Sequence, residues 1–286
     1  MNLRDRFPEL AASRQGRAWI AALPRLVGDC AEQWALALGD PFPDGNASLA
    51  LPATLPDGGR AVLKVCFPHR EGDHEVDALA AYAGDGAVSL LAADRGRRAL
   101  LVERCEPGTP LYRIGQKDAL GVAVGLLRRL WIPAGAPFRP LAEEAALWET
   151  SIPLEWERAG RPCERELVEA ALEALTTLAP TQAEQMLVNQ DLHAGNILRA
   201  RREPWLVIDP KPLAGEREFG VAALVRGGEL GHSEQNVLER LEWLTAVLGL
   251  DRSRARGWAL AQTIAWSDGG RLERHVEVAR WLHGAR

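Results

Sequence analysis

The chain has no run of about eighteen consecutive apolar residues, so no membrane-spanning helix is expected. The stretch from Met1 to Gly28 mixes Arg4, Asp5, Arg6, Arg14 and Arg17 with short apolar pieces, which excludes a continuous signal-peptide core. Cysteine is sparse. Cys30, Cys66, Cys105 and Cys163 show none of the paired spacing of zinc or redox motifs, and read as thiols of a reducing, cytoplasmic environment. Positive charge is not in excess: the net charge of −5 gives no basic footprint for nucleic acid and weakly favours cationic ligands. No G-x-x-x-x-G-K-[ST] loop occurs, which argues against a P-loop nucleotide site. No internal repeat or low-complexity segment stands out, and no oligomeric state is read from the chain.

What is present is enough for a large core: 286 residues, of which 47% are hydrophobic. Short β-like runs at Trp34 to Leu38, Ser48 to Thr54, Ala61 to Cys66, Val88 to Ala92 and Ala99 to Glu103 predict an antiparallel sheet. Pro-Asp-Gly at 43–45 and 56–58 supplies tight turns, and one helix is expected at about 73–83. Pro107-Gly108 marks a crossing into a mainly helical remainder, so the expected domains are 1–106 and 107–286. Apolar residues recur at helical spacing through Leu120, Val124, Leu127 and Trp131, through Leu167, Ala171, Leu175 and Leu178, and through Val237, Leu241, Leu244 and Leu248. Further helices are expected around Trp258 to Trp266 and Leu272 to Leu282.

The chemistry concentrates between Asn189 and Lys211. Asp191, Asn196 five positions later, and Asp209 after the run Trp205-Leu206-Val207-Ile208 offer one carboxylate for a hydroxyl proton and an Asn–Asp pair for Mg²⁺. Upstream, Lys64 alternates with Leu63 and Val65 in a strand-like run, where it can contact ATP phosphates while pairing with an acidic residue of the following helix. Glu75 is the preferred partner and Glu71 the alternative. His193 is read as orienting the loop. Lys211 assists the phosphates, neutralises the metal region, or is a solvated loop lysine. The segment Asp44-Gly45-Asn46-Ala47-Ser48 is either a turn over phosphates or an ordinary hairpin.

Asp191-Leu192-His193-Ala194-Gly195-Asn196-Ile197-Leu198 with Ile208-Asp209-Pro210-Lys211 resembles the aminoglycoside phosphotransferase family, most closely the branch of streptomycin 6-phosphotransferases, or aminoglycoside/hydroxyurea resistance kinases. Further similarity lies in Ala61-Val62-Leu63-Lys64-Val65, Pro68-His69-Arg70-Glu71 with His74-Glu75, Gly86 to Ala92, and Leu101 to Arg104 leading into Glu106-Pro107-Gly108-Thr109-Pro110-Leu111. The resemblance implies an α+β, bilobal protein-kinase-like fold with a β-rich N-lobe and a helical C-lobe. It also implies Asp191 as catalytic base, Asn196 and Asp209 as metal ligands, and Lys64 with Glu75 at the nucleotide. Adenine is expected near Glu103, Arg104 and Cys105. Two departures stand out: Asn189-Gln190 replaces the family's His-Gly, and Glu218-Phe219-Gly220 stands where a second Asp is usual.

The interval after Asp209 is short and no Ala-Pro-Glu follows, which favours a small-molecule acceptor over a protein. Glu216, Glu218, Glu229, Glu234 and Asp268 are candidates for receiving a cationic acceptor. The expected activity is ATP-dependent O-phosphorylation of a streptomycin-like aminoglycoside, conferring resistance. The alternatives are a kinase for another small hydroxylated metabolite and a catalytically weak nucleotide-binding protein.

Overall fold

A computed structural model describes residues 3–43 and 45–285. The chain divides into two compact units that part after Gly108, at the Pro107-Gly108 crossing and two residues beyond the boundary at 106 expected from sequence.

In the first unit, short helices α1 (Leu3–Arg6) and α2 (Pro8–Ala12) lead into α3 (Arg14–Gln33), capped by Ser13, whose Oγ accepts the Gly16 N–H at 2.9 Å. Trp19, Ile20 and Leu23 lie on its buried face. They pack with Phe7 against Leu49, Leu51, Leu63, Val65 and Leu101 of the sheet. The strands are β1 (Ala37–Leu38), β2 (Ser48–Thr54), β3 (Arg60–Cys66), β4 (Leu90–Asp94) and β5 (Ala99–Glu103), ordered β1-β2-β3-β5-β4 and antiparallel throughout. Helix α4 (Glu75–Tyr82) falls between β3 and β4.

Two expectations need correction here, and one helix lies where none was expected. Trp34 belongs to the end of α3 rather than to a strand, because the helix continues through Gln33 and Trp34 caps it. The fourth strand lies at Leu90–Asp94 rather than 88–92, with its register shifting between Leu90 and Ala92. The whole of α3 was unexpected: Pro24 and two glycines inside it interrupt its apolar stripe.

The second unit contains α5 (Gln116–Leu130), α6 (Leu141–Arg158), α7 (Arg165–Leu178), α8 (Ala222–Arg226), α9 (Glu234–Leu248), α10 (Arg252–Ala265) and α11 (Glu273–Gly284). Helix α6 was also missed, since Pro153 lies inside it. Helix α10 packs against α7, α8, α9 and α11 and buries Trp258, Gln262 and Ile264. Four short strands form two antiparallel pairs: β6 (Met186–Asn189) with β9 (Pro212–Gly215), and β7 (Ile197–Arg199) with β8 (Trp205–Val207). Among the described residues no helix is long and apolar enough to cross a membrane.

Candidate active site

In the first unit, β-strand alternation decides where Lys64 points. Leu63 and Val65 enter the core, so Lys64 takes the other face, opposite Ala50 and Leu100 in the ladder. There its Nζ donates to both oxygens of Glu75, at 2.6 and 2.7 Å, with both side chains buried. Glu75 is the first residue of α4, with His74 at the cap, whereas Glu71 sits in the preceding 3₁₀ turn. The Cys66 thiol lies 3.7 Å from Glu75 Oε2 as a weak third donor. Glu103 ends β5 and its carboxylate accepts the Ser89 N–H at 3.1 Å. Cys105 follows, half-buried, with its carbonyl close to Gly108, which has φ +74°. Of the 44–48 segment, Asp44 lies outside the described residues.

In the second unit the two strand pairs gather the residues between Asn189 and Lys211. Pairing of β6 with β9 sets Asn189 opposite Pro212, and the Gln190 N–H donates to the Lys211 carbonyl at 3.0 Å. Pairing of β7 with β8 sets Ile197 opposite Val207, and the Ile208 N–H donates to the Asn196 carbonyl at 2.9 Å. Asp191 is thereby brought beside Lys211, and Asn196 beside the segment that carries Asp209. Asn196 Nδ2 donates to the Asp191 carbonyl at 3.0 Å, so the metal-candidate amide also shapes the loop. Asp209 holds φ +51°, a left-handed conformation that Asp tolerates better than most residues and that collects at functional sites.

The departure at Asn189 has a visible use. Its Oδ1 accepts the N–H groups of both Asp191 and Lys211, each at 3.0 Å, and clamps the adjoining ends of the β6–β9 pair together. The Gln190 side chain is buried, and among the described residues neither of its amide atoms has a hydrogen-bond partner. Lys211 Nζ donates to Asp191 Oδ2 at 2.6 Å, so the solvated-lysine alternative is set aside.

His193 pairs with Glu229, with Nδ1 3.0 Å from Oε1, and Glu229 also accepts the Ala194 N–H at 3.0 Å. Burial opposes charge on both partners, but their hydrogen bond and mutual attraction, joined at His193 by the negative charge of Asp191, win. The His193 pKa is raised, and that of Glu229 is held at about 2. Glu229 is itself placed by Arg240 of α9. This fully buried guanidinium donates to the carbonyls of Val225, Leu230 and Gly231, and burial lowers its pKa to about 10. On α10, Gln262 Nε2 donates to the Gln190 carbonyl at 2.8 Å, and its Oε1 accepts from Arg226 at 3.2 Å. Sequence reasoning missed Arg240 and Gln262. A polar residue on the buried face of an apolar stripe was the signal: Arg240 lies three residues after Val237, and Gln262 lies between Trp258 and Trp266 at helical spacing.

Of the five carboxylates expected to receive a cationic acceptor, Glu229 alone lies in contact with the loop. Glu216 is buried and bound by Arg254 and by the Trp258 Nε1–H, which makes it a core ion pair. Glu218 accepts the Asp251 N–H, Glu234 begins α9, and Asp268 pairs with Arg271 at the surface. A side chain at Gly220, where the family usually has an Asp, would force Trp131 to shift: a Cβ there would lie 2.7 Å from Trp131 Nε1. Among the described residues no group of three or more His, Cys, Asp or Glu forms a metal cluster.

A five-stranded antiparallel sheet with a buried lysine–glutamate pair, and a helical unit whose hairpins carry Asp191, Asn196 and Asp209, define the class of protein-kinase-like phosphotransferases. Solved structures agree on the fold. A thermostable mutant of aminoglycoside phosphotransferase APH(4)-Ia, in complex with ADP and hygromycin B, matches with a TM-score of 0.60 at 14% identity, covering 90% of this chain and 95% of that one. Choline kinase LicA from Streptococcus pneumoniae matches with a TM-score of 0.62 at 11% identity, covering 92% and 99%. Residues 33–269 match the family described as aminoglycoside/hydroxyurea antibiotic resistance kinase, and the chain belongs to that family. It is 37% identical to the streptomycin 6-kinase of Streptomyces griseus over 261 residues, covering 89% of this chain and 85% of the relative. It is 39% identical to the hydroxyurea phosphotransferase of Kitasatospora aureofaciens over 287 residues, covering 94% and 81%.

Proposed function

We propose that this kinase transfers the γ-phosphoryl group of ATP to a hydroxyl of a streptomycin-like aminoglycoside, and so confers resistance on the cell that makes it. The carrying observation is the convergence of Asp191, Asn196 and Asp209 through two strand pairs, in a chain 37% identical to a streptomycin 6-kinase. Asp191 orients the acceptor hydroxyl and takes its proton late in transfer. Lys64, held by Glu75, contacts the nucleotide phosphates, and backbone groups near Glu103 and Cys105 receive adenine.

The donor chemistry at Asn196 and Asp209 fits Mg²⁺. With its amide nitrogen given to the Asp191 carbonyl, Asn196 offers an amide oxygen, and Asp209 adds a carboxylate. Both are hard oxygen donors, and Mg²⁺ bound by one or two carboxylates completes its shell with phosphate oxygens and water. Bound there, the ion would neutralise phosphate charge.

Mass spectrometry on the purified protein with ATP, Mg²⁺ and a panel of streptomycin, other aminoglycosides and hydroxyurea tests this reading. A phosphate-sized gain on streptomycin is expected. Asp191→Asn is expected to keep nucleotide affinity while lowering turnover by at least about a hundredfold. Modification of hydroxyurea alone would overturn the aminoglycoside assignment and leave a kinase; no phosphorylated acceptor and no nucleotide binding would overturn both.

A further inference from the structure

Lys211 has contacts that a loop lysine in solvent does not. Its Nζ donates to Asp191 Oδ2 at 2.6 Å, its side chain is only 20% exposed, and the ammonium stands 5.6 Å from the centroid of the Trp266 ring. The same indole carries the Arg226 guanidinium at 4.6 Å. Arg226 donates to Gln262, and Gln262 donates to the carbonyl of Gln190, the residue before Asp191. These contacts close a ring: Asp191, Lys211, Trp266, Arg226, Gln262, Gln190, and back along the chain to Asp191. The backbone N–H groups of Asp191 and Lys211 are both held by Asn189 Oδ1. Carboxylate and ammonium are therefore fixed relative to each other from the main chain outward. Between Asp191 and Asn196 the side chain able to carry positive charge, His193, is committed to Glu229.

We infer that Lys211 is a second catalytic group, whose ammonium passes its hydrogen bond from Asp191 to a non-bridging oxygen of the phosphoryl group during transfer. The inference rests on the phosphoryl-transfer reading above. In that step the acceptor oxygen forms the new O–P bond while the bond from the γ-phosphorus to the β,γ-bridging oxygen breaks. The electron pair leaves with ADP, the acceptor proton goes to Asp191 through Oδ1, and Lys211 stays protonated throughout. Before transfer, the Asp191 anion holds the ammonium. Once Asp191 has taken the proton it is neutral and its pull on the ammonium falls, while the phosphoryl oxygens still carry charge. The donor thus binds the transition state more strongly than the ground state, which is the condition for raising kcat rather than lowering KM. It is also preorganised, because Trp266 and the Asn189 clamp hold it before substrates arrive.

Lys211→Met is expected to lower kcat by about a hundredfold, with both KM values within about threefold of wild type. Calorimetry supplies a readout apart from turnover. ADP alone should bind wild type and variant equally, whereas the extra affinity of ADP with aluminium fluoride and streptomycin, a mimic of the transferring phosphoryl, should be largely lost in the variant. Lys211→Cys treated with 2-bromoethylamine rebuilds an ammonium at nearly the native length and should recover turnover by at least about tenfold, with treated wild type as the control for native cysteines. If the methionine variant does not fold, Lys211→Gln keeps a donor toward Asp191 without the charge and should show the same loss. A folded Lys211→Met or Lys211→Gln protein with near-normal kcat, or with the full fluoride-complex affinity, overturns the inference while wild-type transfer leaves the kinase reading standing. A wild type that phosphorylates no acceptor fails that reading instead, and Lys211 loses its role with it.

Discussion

Glu229 grips the loop of the proposed base twice through one oxygen: Oε1 lies 3.0 Å from His193 Nδ1 and accepts the Ala194 N–H at 3.0 Å, across 36 and 35 residues of chain. The proposed base is thus braced from a segment that itself hangs from buried Arg240.

Removing that brace should show in stability and turnover together. Glu229→Ala leaves two loop donors without their acceptor, a loss of about 1–3 kcal/mol where charge is involved. Urea denaturation should report a lower midpoint, and turnover should fall while nucleotide affinity holds. Glu229→Gln, which keeps an oxygen for Ala194, should recover part of the stability. Unchanged midpoint and turnover in the alanine variant would show that the contact is idle.

The Lys64–Glu75 pair separates folding from function. Breaking a buried pair strands a charge, so Lys64→Met or Glu75→Leu alone should destabilise the protein by about 3–5 kcal/mol. The double variant removes both charges and should regain most of that loss, yet nucleotide binding should stay weak, because no ammonium remains for the phosphates. Wild-type ATP affinity in a folded double variant would argue against a nucleotide role for Lys64.

Gly220 tests whether a departure from the family pattern is packed in place. A Cβ there would meet Trp131 Nε1 at 2.7 Å, inside any ordinary contact. Gly220→Asp should therefore cost about 1–3 kcal/mol and add nothing to metal affinity. Combining it with Trp131→Leu should restore part of the melting temperature; no restoration would mean that the clash is not the cause.

Acid stability should fall in two separable windows. Burial, with the charges of Arg226, His232 and Arg274, lowers the His275 pKa from 6.5 to about 4. The unfolded chain therefore takes up this proton first, and stability declines as pH falls from 6.5 toward about 4. Glu229, held at about 2 against 4.5 when unfolded, contributes stability that is full above 4.5 and is lost as pH falls toward about 2. Urea midpoints across the acid range should lose the upper slope in His275→Gln and the lower slope in Glu229→Gln. An unaltered profile in either variant refutes its assignment.

Local pattern carried much of the fold. Ser48–Thr54 and Ala99–Glu103 have the bounds that β-like composition and flanking turns implied, since a strand with one face in the core must alternate. Helices α3 and α6 escaped because each has a proline inside it, and their burial against neighbours outweighs the lost propensity. Spacing alone could not choose between Glu71 and Glu75, because that depends on where α4 begins, and α4 begins at Glu75.

By itself, the sequence determined the kinds of group available: a strand lysine, an Asp and an Asn five apart, and an Asp after a short strand. Tertiary structure alone decided the pairings: Lys211 with Asp191, Glu229 with His193, Gln262 with Gln190, and Glu216 withdrawn into the core with Arg254. The reason is physical. Hydrogen bonds and ion pairs act within about 3 to 4 Å, and only strand pairing and helix packing bring residues that lie 20 to 72 positions apart within that reach.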